Sequence, residues 1–171
     1  MPNWYGVTHQ PAGLASSRNV WLTDAIAANE AMVRRRFREL DKKNYAILDE
    51  LFDRTYVLHC PGIPTSMTLG TTRQFYEQLY TAFPDLRHTI VEQISAGNKV
   101  VTRWTARGTH RGPWMGVEGT GKPISLAGIN IYTIRRGKFV ESRVNWDLLG
   151  LMQQLGAVSV RLAAPERTAG G

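Results

Sequence analysis

Asp147 is where the sequence concentrates its chemistry. It closes a β-prone run, Lys138 to Asp147, and precedes the apolar segment Leu148, Leu149, Leu151, Met152 and Leu155. Alternate side chains of a strand share a face, so Arg143, Asn145 and Asp147 project together, opposite Ser142, Val144 and Trp146. Partial desolvation against the apolar segment would favour the protonated carboxyl and raise its pKa. Such an Asp can take a proton from a carbon alpha to a carbonyl and return it to the oxygen or leaving group, serving both halves of an aldol or isomerisation step. The same position also suits the N-cap of a helix over the apolar segment, and the two roles are compatible.

On the preceding β-prone run, Gly128, Asn130 and Tyr132 share a face. Gly128 leaves room for a ligand there, and Asn130 and Tyr132 can donate hydrogen bonds to a carbonyl or enolate oxygen as charge grows on it. Trp104 and Trp146 are flat and apolar enough to stack on a polycyclic ligand, although core or interface packing competes for both. Lying opposite Asp147, Trp146 is assigned to an interface. Cys60, the sole cysteine, excludes an internal disulfide and reads as structural.

Other chemistries find less support. Gly116 to Lys122 has the glycine-to-lysine spacing of a phosphate-binding loop, but Pro123 stands where a Ser or Thr would bind magnesium. His9, His59, His88 and His110 are dispersed without metal-ligand spacing, so no metal and no cofactor is implied. No Gly-x-Ser-x-Gly elbow occurs. The net charge of +7 includes the run Arg34, Arg35, Arg36, Arg38, Lys42 and Lys43, which reads as solvated helix positions, so no nucleic-acid partner is expected. The +7 charge is weak support for anionic ligands. Without a signal-peptide pattern or a long apolar run, the chain is expected to be cytoplasmic, with no membrane partner.

The 171 residues suit one domain, 43% hydrophobic and 20% charged. Residues 1–22 read as an extension whose Trp4, Tyr5 and Trp21 dock on the body, and residues 158–171 as a flexible tail. Leu22, Ile26, Val33, Phe37 and Leu40 predict an amphipathic helix capped at Thr23, with Arg34, Arg35 and Arg38 pointing elsewhere. A short helix follows Asn44, then a strand at Tyr56 to Leu58 and a turn over Pro61 to Pro64. A third helix begins near Thr71 or Thr72 and ends before Pro84. Strands are predicted at Leu86 to Ile94, Lys99 to Thr109, Pro123 to Ile134 and Lys138 to Asp147, with hairpin turns at Ala96-Gly97-Asn98 and Arg136-Gly137. A last helix ends at Gly156. The class is therefore α+β, a largely antiparallel sheet with helices on one face.

In order, Phe83-Pro84-Asp85-Leu86, Arg103-Trp104, Gly108-Thr109-His110-Arg111-Gly112, Thr120-Gly121-Lys122, Gly137-Lys138, Glu141, Asn145-Trp146-Asp147 and Gln153-Gln154-Leu155-Gly156 closely resemble the SnoaL-like polyketide or ester cyclases of the NTF2-like superfamily. The resemblance covers about residues 25 to 157 and assigns residues 23–157 to the domain. It implies a cone, a curved antiparallel sheet with N-terminal helices enclosing a pocket, in a homodimer that packs through the sheet. It also implies cofactor-independent acid/base chemistry on a carbonyl-bearing, polyketide-like small molecule, with Asp147 as acid/base. His59 corresponds to a wall position that orients a carbonyl or assists proton transfer. His110 belongs to a Thr-His-x-Gly element, where fixing a loop competes with a chemical role. Candidate catalytic residues are thus Asp147, His59 and His110, and candidate substrate contacts are Asn130, Tyr132, Asn145 and Trp104. Where an epoxide hydrolase of the superfamily carries an Arg and Asp pair, this chain has Asn130 and Tyr132, which argues against that reaction. A hydroxylase, dehydratase or hydrolase of the same fold, or a non-catalytic small-ligand binder, stays open.

Overall fold

Four of the strand segments emerge where residue type and turn chemistry place them. The computed structural model describes residues 13–62 and 66–159, with side chains from residue 23 onward. The elements run α1 (Gly13–Asp41), α2 (Ala46–Leu51), β1 (Phe52–His59), β2 (Met67–Thr68), α3 (Leu69–Ala82), β3 (Arg87–Ala96), β4 (Lys99–Thr109), β5 (Pro123–Arg135), β6 (Lys138–Trp146) and α4 (Leu148–Leu155). They form an α+β fold whose sheet has the order β2-β1-β6-β5-β4-β3. Every adjacent pair is antiparallel except β1 with β6.

The two tight hairpins follow from backbone preference. Gly97 has φ +56° at the first loop position between β3 and β4, while Arg136 and Gly137 have φ +50° and +69° between β5 and β6. Positive φ at the first, or at both, central residues matches the right-handed twist of the flanking strands. Register shifts between Ile90 and Glu92 in β3 and between Thr133 and Ile134 in β5 bend the sheet. The curved sheet is covered on its concave side by α1 and α3, and α4 packs against β5.

Helix α1 differs from expectation at its start. It begins at Gly13, so Thr23 lies inside it and part of the expected extension is helical. Residues 14–22 contain no Pro or Gly to stop the helix. The ends of the other helices obey local chemistry. Thr68 caps α3 by accepting from the Thr71 amide, Pro84 follows its end, and Gly156 closes α4 with φ +87°. Residues 1–12, including Trp4 and Tyr5, residues 63–65 of the expected turn, and residues 160–171 of the expected tail lie outside the described residues, as does the Trp21 side chain.

The core lies between α1, α3 and the inner face of the sheet, which carries the even-numbered residues of β4 and β5, Ser142 of β6 and, across the register shift, Phe139. Val100, Leu126, Tyr132 and Phe139 are nearly inaccessible, as are Val33 and Leu40 of α1. Arg36 and Asp41 occupy the same buried stripe of α1, because positions 33, 36, 37, 40 and 41 recur on one helical face. This corrects the reading of Arg36 as a solvated basic residue. Gly116 to Lys122 falls in the connection from β4 to β5, not at a strand feeding a helix.

Candidate active site

Helices α1 and α3 and the inner sheet face enclose a cavity of about 60 Å³. That exceeds the roughly 10–15 Å³ needed to admit one water. Most of the wall is apolar, with Phe37, Leu40, Leu79, Leu86, Leu126 and Val144 contributing. The polar exceptions are Arg36, Tyr76, Tyr80, His88 and Asn130, with the indoles of Trp104 and Trp146.

His88 enters from β3 and meets Asp41 at the end of α1. Its Nδ1 lies 2.6 Å from Asp41 Oδ1, its backbone N–H donates to Oδ2 at 2.8 Å, and the Tyr80 hydroxyl donates to Oδ1 at 2.8 Å. Burial pushes the Asp41 carboxyl up, but the hydrogen bonds of His88 and Tyr80 more than offset this and hold its pKa below the ordinary carboxylate value. An ionised Asp41 can only accept, so Nδ1 carries the imidazole proton and Nε2 is the free lone pair. Nε2 has no hydrogen-bond partner among the described residues. The ring is wedged against Phe37 and Trp104, with centroids 5.3 and 5.1 Å away.

Trp104 of β4 pairs directly with Gly128 of β5. A Cβ on Gly128 would stand 2.4 Å from Trp104 Cζ2, so the space left by this glycine holds the indole and not a ligand. Trp104 Nε1 donates to Asn130 Oδ1 at 2.6 Å, which turns the amide so that its NH₂ is the group left for a ligand. Asn130 and Trp104 therefore sit together in the cavity wall beside His88, a grouping that spans β3, β4 and β5.

The remaining sequence candidates lie elsewhere. Tyr132 shares the inner face with Asn130 but is wholly buried and absent from the cavity wall, with its ring against Phe139. Asp147 is exposed and outside the cavity, and its Oδ1 accepts from the Gly150 amide at 2.8 Å as the N-cap of α4. The expected desolvation fails because the β6 face carrying Arg143 and Asn145, which leads into Asp147, points outward. Asn145 is exposed on that outer face for the same reason. Trp146 points inward, lining the cavity and donating from Nε1 to Cys60 Sγ at 3.2 Å, which corrects its assignment to an interface.

His59 also faces outward from β1, with Nδ1 2.9 Å from Ser66 Oγ and Nε2 3.3 Å from Glu141 Oε1. His110 is fully buried in the loop after β4, where its Nδ1 accepts from the Thr120 amide at 3.2 Å and its ring stacks on Phe83. Burial lowers its pKa and keeps it neutral. Among the described residues, no group of three or more His, Cys, Asp or Glu side chains is arranged to hold a metal ion, and no helix is long and apolar enough to cross a membrane.

Sequence reasoning missed Arg36, Asp41 and His88. For Arg36 and Asp41 a signal existed in their spacing from Val33, Phe37 and Leu40. His88 alternates with Leu86, which is buried, so a two-residue period already placed it inward.

The sequence model describing SnoaL-like polyketide cyclases matches residues 31–155. No curated protein matches the chain. Among solved structures, AclR, a candidate hydroxylase from Streptomyces galilaeus, superposes with TM-score 0.72 at 21% identity over 78% of this chain and 99% of its own. A candidate SnoaL-like polyketide cyclase from Jannaschia sp. CCS1 gives TM-score 0.72 at 21% identity, over 78% and 94% of the two chains. IdmH, a candidate polyketide cyclase from Streptomyces antibioticus, gives 0.68 at 26% identity, over 75% and 98%. The first two likenesses establish the NTF2-like cone fold.

Proposed function

From the premise that this chain belongs to the SnoaL-like polyketide cyclase family, we propose that it is a cofactor-independent cyclase using general acid/base catalysis on a carbonyl-bearing, polyketide-like small molecule. The observation that carries the reading is the His88–Asp41 pair, 2.6 Å apart, at the wall of an apolar cavity. Nε2 of His88 removes a proton alpha to a carbonyl. The Asn130 NH₂ donates to the enolate oxygen, oriented by the bond that Asn130 accepts from Trp104. The enolate carbon then bonds to a second carbonyl carbon, and the new alkoxide recovers the proton from Nε2. The product is an isomer of the substrate, and His88 returns to its starting state. Asp41 acts through His88, fixing its tautomer and stabilising the imidazolium. The acid/base role thereby passes from Asp147 to His88, and Asp147 serves as a helix cap.

Deuterium exchange at the alpha carbons of 2-tetralone in D₂O, followed by NMR, tests this reading. The protein should accelerate exchange, and His88→Gln should lower the rate by about 10²-fold or more. Undiminished exchange in that folded variant rejects His88 as the base. Saturable binding of the ketone without acceleration favours a ligand-binding protein instead.

The outer sheet face supports the homodimer. Ile94, Val101 and Ile131 are cross-strand neighbours in one row, and Ile94 and Ile131 are 61% and 37% exposed. Such a row suits self-complementary burial against a second copy. Sedimentation velocity should report a dimer that Ile131→Glu dissociates; a wild-type monomer refutes the proposal.

A further inference from the structure

Arg36 is a cation in the wrong place for a structural residue. It is 4% exposed, lines the same cavity as His88 and Asn130, and takes part in none of the ion pairs among the described residues. Its helical neighbours Arg34, Arg35 and Arg38 all pair with glutamates at the surface. The partners of Arg36 are neutral. Its Cζ lies 4.7, 5.3 and 5.4 Å from the ring centroids of Phe37, Tyr76 and Tyr132, and Nη2 donates to the Tyr76 hydroxyl. Nε is buried with no acceptor. Burial pushes the phenols of Tyr56, Tyr80 and Tyr132 above their ordinary value, so these three hydroxyls do not ionise to balance the charge.

A guanidinium keeps its proton in proteins, and an uncompensated buried charge is costly. Cation–π contacts offset part of that cost without neutralising the charge. The missing counter-charge must come from what enters the cavity. We infer that Arg36 is the anchor for a carboxylate carried by the substrate, so that the cyclase reading narrows to a free acid and not an ester or amide. The inference rests on that reading for its ligand class. A carboxylate fits best because it is planar and accepts in parallel from two N–H groups of one guanidinium. Anchoring one end on Arg36 of α1 leaves the rest of the molecule along the apolar wall toward His88. The net charge of +7 acts in the same direction by attracting anions.

The test compares 2-naphthoate with 2-naphthamide, two flat probes alike except in charge, by titration calorimetry on the full chain. Wild type should prefer the acid by about tenfold or more, the equivalent of about 1.4 kcal/mol. Arg36→Met, which keeps length and apolar bulk, should bind both probes equally, and Arg36→Lys should keep a preference for the acid. Equal binding of the two probes to wild type, binding of neither, or a preference that survives Arg36→Met overturns the assignment. If the Met variant does not fold, the Lys variant decides, because loss of its preference for the acid also overturns it. Exchange of the neutral 2-tetralone, measured separately, reports on His88, so the two ideas can fail independently.

Discussion

Asn130 and Asn145 lie on adjacent antiparallel strands and share a residue type, yet the structure gives them opposite surroundings. Asn130 is 4% exposed, fixed by Trp104 at 2.6 Å and set in the cavity wall, whereas Asn145 is exposed on the convex face. Around the first stand His88, Trp104, Trp146 and Arg36; around the second stand Ile129, Arg143 and Asp147. The contrast teaches that a polar residue at the right strand register lines a cavity only if its face of the sheet is covered. Curvature and the helices decide which face that is.

Exchanging the two asparagines for Leu breaks the comparison most directly. Asn130→Leu should slow 2-tetralone exchange by about 10²-fold, as loss of one oxyanion donor does, while Asn145→Leu leaves it unchanged. Equal effects would erase the distinction between the faces. A second pair lies one residue apart. Gly128→Ala forces the Trp104 indole from its seat and should cost about 1–3 kcal/mol in urea unfolding, against little for Ile129→Ala outside. Asp147→Ala should cost about 1 kcal/mol through loss of the α4 cap, with exchange kinetics intact, and Asp147→Asn, which can still cap, should cost less. A collapse of turnover in folded Asp147→Asn would return the chemistry to the outer face.

The smallest effect is the pH response of the inner carboxylate. Asp41 has a folded pKa below its ordinary value of about 3.9. Its contribution to stability is complete above that ordinary value and is lost as pH falls through the lowered one. The stability difference between wild type and Asp41→Asn should therefore shrink as the pH falls below about 4, as read by denaturation midpoints. A difference that grows below about pH 4 would refute the pairing.

Much of the architecture was legible from local signals. The strand limits from Lys99 to Trp146, the Gly97 and Arg136-Gly137 turns, and the Gly156 stop each depend on residues within a few positions of one another. The start of α1 was less legible because Thr23 resembles a cap but nothing before it breaks the helix. Residue identity likewise showed that Gly128, Asn130 and Tyr132 share a face and that Trp146 opposes Asp147. What alternation could not supply was its sign. An inward Asp147 requires Asn145 inward and Trp146 outward, and the sheet sets the opposite sign for all three together.

By itself, then, the sequence determined the family, the α+β class and the periodic grouping of side chains, because these depend on short-range backbone preference and on an ordered set of motifs. Tertiary structure alone decided which group lines the cavity. Asp41 and His88 are separated by α2, two strands and α3, and neither has a local reason to meet the other. They meet because the curved sheet brings β3 against the end of α1, where the carboxylate accepts from the Tyr80 hydroxyl and the His88 amide and lies 2.6 Å from the imidazole, whose ring packs against Phe37 and Trp104.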